Sequence, residues 1–139
     1  MTQKIRIESN KLLIIEGKDE EFFFKALLKH ENIDNFQIIG AGGKDRFPQQ
    51  LRIVVNLQNF SEVVDTLGFV RDAEQNKANS AFSSICDQLR RNNLPVPTSI
   101  NEVIEEEGRR IGIFIMPNNS DEGMLEDLCI ESIKKNGLF

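Results

Sequence analysis

Four short apolar runs, separated by stretches of helical periodicity, constrain this chain more than any other feature. Leu12-Leu13-Ile14-Ile15, Phe36 to Ile39, Leu67-Gly68-Phe69-Val70 and Ile111 to Met116 are continuous rather than alternating. That is the pattern of strands buried on both faces of a parallel sheet. From Asp19 to Glu31, Phe23, Phe24, Ala26, Leu27 and Leu28 recur at helical spacing and predict a helix with a broad buried face. In that setting Phe22-Phe23-Phe24 reads as core rather than as a base-stacking surface. Pro48 suits a first helical turn, and Phe47, Leu51, Val54 and Val55 continue the pattern to about Asn59. Ala78, Ala81, Phe82, Ile85, Cys86 and Leu89 lie along one helical face. A last helix is expected over about Asp121 to Lys135, capped by Asn119 or Ser120 and stopped by Gly137.

Strand and helix alternate four times, so the chain reads as one α/β domain over residues 1–139, with a mainly parallel four-stranded central sheet flanked by helices. Ile5 and Ile7 alternate with charged residues ahead of Ser9-Asn10, which adds an antiparallel edge strand as an option. Asn92-Asn93-Leu94-Pro95-Val96-Pro97 stops the helix that precedes it, and the next ten or so residues read as a connector. Glu105-Glu106-Glu107 reads as a solvated face or loop.

Composition narrows the function classes. Lys and Arg number 17 against 22 Asp and Glu, a net charge of −5, which does not suit a protein that coats nucleic acid by phosphate neutralisation alone. Ten Phe with no Trp and no Tyr exclude stacking platforms built on indole or phenol. The polar start and the lack of a long apolar stretch point to a cytoplasmic protein with no membrane span. Cys86 and Cys129 lie in apolar helical patterns without CxxC spacing and read as buried reduced thiols. The only histidine, His30, sits near a helix end, where it interacts favourably with the helix dipole. Histidine-dependent triads are therefore unsupported.

In a parallel sheet the carboxyl ends of the strands share one edge, and ligands bind outside it. The first strand here is followed by Glu16-Gly17-Lys18-Asp19-Glu20 and the second by Gly40-Ala41-Gly42-Gly43 with Lys44-Asp45. Asp72 and Glu74 come after the third strand, and Asp121, Glu122 and Glu126 after the fourth. Carboxylates gathered in one place repel unless a cation lies between them. With no histidine or thiol nearby, the donor set favours Mg²⁺ or Mn²⁺ over zinc. The glycine loop lacks the GxxxxGK[ST] and GxGxxG arrangements and reads as a tight turn.

Leu13-Ile14-Ile15-Glu16-Gly17-Lys18-Asp19-Glu20, Gly40-Ala41-Gly42-Gly43-Lys44 and Phe69-Val70-Arg71-Asp72-Ala73-Glu74 resemble, in order and spacing, the Toprim domain of topoisomerases, bacterial primases, recombination-repair proteins and the overcoming-lysogenization-defect nucleases. The likeness is greatest to small stand-alone bacterial Toprim-like proteins of a domain of unknown function, family 3226. Gly123-Met124-Leu125-Glu126-Asp127-Leu128 is similar to their late acidic motif. The resemblance spans roughly Lys11 to Ile133 and implies a Toprim-like, Rossmann-like fold. It also implies Mg²⁺- or Mn²⁺-dependent chemistry on DNA or RNA phosphodiesters.

Carried over residue by residue, Glu16 matches the glutamate that acts as general acid or base and touches metal, and Asp72 and Glu74 match the acidic metal ligands. Glu126 corresponds to the carboxylate of a second metal site, with Asp121 as a neighbour, and Lys44 to a contact on the scissile phosphate. Two departures stand out. The pair is Asp72-Ala73-Glu74 where Asp-x-Asp is usual, and Arg71 replaces an apolar residue, with a charge that can pair with Asp72 and compete with metal. Both departures favour an alternative, a non-catalytic scaffold for a protein partner such as an ATPase. A phosphoacceptor signalling domain fits less well, because Glu16 is followed by glycine and the late segment reads Met116-Pro117 rather than Lys-Pro. Any phosphate reaching so acidic an edge must arrive with metal.

Overall fold

The computed structural model describes residues 5–33, 35–43, 45–73, 78–99 and 103–117, with Lys18, Asp19, Asp72, Ala73, Ala78, Asn79, Met116 and Pro117 described through their backbone. The chain order is β1 (Lys11–Ile15), α1 (Lys18–His30), β2 (Phe36–Gly40), α2 (Phe47–Val55), α3 (Phe60–Val63), β3 (Thr66–Ala73), α4 (Ala78–Arg91), β4 (Val103–Glu106) and β5 (Arg109–Pro117). The sheet order is β2-β1-β3-β5-β4. β1, β2, β3 and β5 run parallel, and β4 pairs antiparallel with β5 at the edge. The expected α/β architecture with four parallel strands is present, together with a fifth, antiparallel strand.

The continuous apolar runs fill two layers because successive strand residues face opposite sides of a sheet. Leu12, Ile14, Leu67, Phe69, Ile111, Ile113 and Ile115 are buried with Phe47, Leu51 and Val54 of α2, Phe60 of α3, and Ala81, Ile85, Cys86 and Leu89 of α4. Leu13, Ile15, Val70 and Phe114 are buried on the other face with Phe24, Leu27 and Leu28 of α1. Cys86 is a free buried thiol as expected, and burial raises its pKa. Cys129 and the expected helix from Asp121 to Lys135 lie outside the described residues.

Three local features depart from the sequence reading. The antiparallel edge strand is Val103–Glu106, within the expected connector, rather than the segment around Ile5 and Ile7. Its turn is Glu107-Gly108, both at positive φ (54° and 78°), as a two-residue type I′ hairpin requires. Residues 5–8 have no strand ladder because the Gln37 side chain takes its place along β2, accepting from the Glu8 N–H at 2.7 Å and donating to the Arg6 carbonyl at 2.6 Å. α4 stops at Arg91 as expected, and the stop is made by Asn93, which adopts a left-handed conformation (φ 59°), with the Leu94 N–H returning to the Leu89 carbonyl at 2.9 Å. That arrangement is a Schellman cap. The phenylalanine cluster divides: Phe24 is 1% exposed, Phe23 is partly buried and Phe22 is 74% exposed.

At the amino-terminal edge of the sheet the polar groups satisfy one another. Asp65 accepts from Asn10 Nδ2 at 2.9 Å and from the Thr66 hydroxyl at 2.7 Å. Burial raises the Asp65 pKa, but these two bonds and the Lys11 and Arg110 charges outweigh it and hold the carboxyl below its ordinary value. Among the described residues no helix is long and apolar enough to cross a membrane.

The two phenylalanines test the layer assignment. Phe24→Ala should cost about 3–5 kcal/mol in urea unfolding, and Phe22→Ala no more than about 0.5 kcal/mol. Equal losses would contradict the orientation of α1.

Candidate functional site

The connection from β1 through α1 leads to β2 on one side of β1, and the connection from β2 through α2 and α3 crosses back to β3 on the other. The strand order therefore reverses between β1 and β3, and the crevice beyond their carboxyl ends is where an open α/β sheet receives ligands. Ile15 is in register with Val70, so Glu16 and Arg71 are the next residues at the same level on adjacent strands. The Glu16 N–H donates to the Val70 carbonyl at 3.1 Å, which extends the ladder and fixes the start of the loop.

Arg71 makes an ion pair through Nε with the Glu16 carboxylate. Arg71 is 8% exposed, and the Glu16 side chain is almost as enclosed. The guanidinium lies over the Phe47 ring, with Cζ 5.0 Å from its centroid, and Phe47 packs edge-on against Phe69. A cation enters the apolar layer here because a carboxylate and an aromatic face both meet it. The sequence reading named Asp72 as a partner for Arg71, and the Asp72 side chain lies outside what is described. Register between neighbouring strands brings Glu16 to it.

The glycine loop closes over the same edge. The Ala41 N–H donates to the Ile15 carbonyl and the Gly43 N–H to the Glu16 carbonyl, both at 2.8 Å, and the Arg46 N–H returns to the Gly43 carbonyl at 3.1 Å. Gly42 and Gly43 have φ of 81° and 110°, conformations open to glycine at little steric cost. The loop is the tight turn expected, and its backbone clamps the residue that bears the candidate acid. The Glu20 carboxylate packs against Gly17 and the Glu21 carboxylate against Gly40. Glu21 also pairs with Lys25 at 2.9 Å. Three carboxylates thus stand around this edge, one of them neutralised by a buried arginine.

Of the expected site residues, Glu16 is placed in full. Asp72 lies inside β3 rather than beyond it, its backbone in register with Met116. Lys44, Glu74, Asp121 and Glu126 lie outside the described residues. Among the described residues no group of three or more His, Cys, Asp or Glu side chains is placed to hold a metal ion. His30 is an exposed residue of the last turn of α1. Sequence reasoning missed Phe47 as part of the site, assigning it only to the core. The signal was its position just after the glycine loop, at the start of the helix that crosses to β3.

The ion pair makes a stability prediction. Arg71→Met alone should cost about 3–5 kcal/mol, because it leaves the Glu16 carboxylate enclosed without its counter-charge. The double variant E16Q/R71M should be more stable than R71M in urea unfolding. Additive losses would contradict the pairing.

No curated protein and no solved structure matches the chain. A family model described as a protein of unknown function, DUF3226, matches residues 10–138, and the chain therefore belongs to the DUF3226 family.

Proposed function

We propose that the carboxyl edge of the sheet performs Mg²⁺- or Mn²⁺-dependent chemistry on nucleic-acid phosphodiesters, in the manner of a nuclease-like Toprim protein. The observation that carries this reading is that Glu16 follows β1 directly and Asp72 stands near the end of the neighbouring β3, at the reversal of strand order. The clamp of the glycine loop on Glu16 supports it, as does the likeness of the three strand-end motifs to the Toprim domain. The donors are all carboxylates, which fits a hard divalent cation. Glu16, Asp72, Glu74 and Glu126, with Asp121 beside them, would hold it. When bound, that cation supplies charge neutralisation at the phosphate and lowers the pKa of a water nucleophile.

The remaining steps belong to the chain's own residues. Glu16 exchanges a proton with the attacking or leaving oxygen as general acid or base. Lys44 meets a non-bridging oxygen of the scissile phosphate. The backbone of the glycine loop fixes the approach to Glu16, and DNA or RNA is the substrate class.

A second reading is favoured by one observation, the buried pairing of Glu16 with Arg71. On that reading the domain is a non-catalytic scaffold whose acidic edge is internally neutralised and which binds a protein partner such as an ATPase.

Nicking of supercoiled plasmid and cleavage of single-stranded DNA, each with Mg²⁺ or Mn²⁺, separate the two. The expected result is metal-dependent cleavage that Glu16→Gln and Asp72→Asn each reduce by about 100-fold or more. Absence of both cleavage and metal-induced thermal stabilisation in the wild type would leave the scaffold reading.

A further inference from the structure

We infer that residues 5–9 are a strap that keeps the outer edge of β2 from pairing with a second copy of this chain. The sheet has two outer strands, β2 and β4. An outer strand offers unpaired N–H and C=O groups to any chain that reaches it, and charge, proline or short length is the usual protection. β4 has four residues and ends in the exposed Glu105-Glu106, so a second copy of it would crowd carboxylates into one short ladder. β2, Phe36-Gln37-Ile38-Ile39-Gly40, has neither charge nor proline.

The Ala41 N–H bonds to the Ile15 carbonyl. Alternate residues of a strand in a parallel ladder turn to the same neighbour, so Gln37 and Ile39 also turn to β1, while Ile38 and Gly40 turn outward. Among the described residues no backbone hydrogen bond reaches Ile38 from its outer side. β2 is also self-complementary. In an antiparallel pair centred on Ile38, Phe36 faces Gly40 and Gln37 faces Ile39 of the other copy, and no like charges are opposed.

The strap stands against that pairing. Gln37 is in register with Leu12, and its side-chain amide accepts from the Glu8 N–H at 2.7 Å and donates to the Arg6 carbonyl at 2.6 Å. The Ser9 hydroxyl donates to the Asn35 carbonyl at 2.5 Å, just ahead of β2. Ile5 and Ile7 pack against the apolar layer, while Arg6 and Glu8 are exposed. The strap therefore caps Gln37 where the Ile39 side chain of an added copy would stand, because directly opposed side chains share a face at about 5 Å. Side-chain bonds and two half-buried isoleucines hold it, with no ladder, so its release leaves the sheet intact.

Sedimentation velocity on the full chain tests the strap. Wild type should stay monomeric up to about 100 µM, whereas Gln37→Leu and Ile7→Ser should each dimerise at least about tenfold more tightly. Ile7→Ser leaves every sheet residue unchanged and carries the test if Gln37→Leu does not fold. In these dimers the Ile38 amide should exchange its hydrogen more slowly as protein concentration rises, and adding Ile38→Lys should restore the monomer. Folded variants no more associated than wild type overturn the role of the strap, as does a wild type that dimerises equally tightly. Dimers whose Ile38 amide exchanges at the monomer's rate, or that survive Ile38→Lys, overturn β2 as the paired edge.

Discussion

A charged group inside an apolar layer must be met by an opposite charge, or the layer does not close around it. Arg71 sits in the layer formed by Phe47 and Phe69, and Glu16 supplies that charge from the neighbouring strand. Much of the carboxyl edge depends on this contact. β3 continues past its apolar run to Ala73, alongside β5 as far as Pro117. The contact meets the carboxylate of Glu16 while the Gly43 N–H meets its carbonyl. Side chain and backbone of one residue are thereby both held at the reversal point of the sheet.

The two ends of the sheet differ in kind. At the amino end Asp65 is satisfied by Asn10 and Thr66, close neighbours with hydroxyl and amide donors, and Arg110 pairs with Glu105. That cluster braces β1 against β3 and the β4–β5 hairpin, and each charge has a local answer. At the carboxyl end the Glu16–Arg71 pair is more enclosed and lies beside the glycine loop. An apolar pair of similar volume stabilises a fold at least as well as a buried ion pair.

Much of this arrangement was legible in the residues themselves. Leu12 to Ile15 has no polar member, and a strand of that kind has neighbours on both sides and helices on both faces, which is how β1 sits. Glu16 followed directly from the end of that run. β4 was not legible, because Val103-Ile104-Glu105-Glu106 has two apolar residues and its exposed half is indistinguishable from a solvated loop. Only the Glu107-Gly108 turn between it and β5 marked a hairpin. Phe22 could not be separated from Phe24 by composition, since helix phase against the sheet decides which ring is buried. The pairing of Arg71 with Glu16 was not legible for a related reason. Asp72 is its neighbour in sequence, whereas Glu16 is brought to it by strand register.

The most direct test of the account is anomalous scattering from Mn²⁺ in crystals grown with a phosphorothioate oligonucleotide. A manganese peak in ligand contact with the Glu16 carboxylate is the predicted result. Crystals with oligonucleotide bound and no manganese at the strand ends would contradict it.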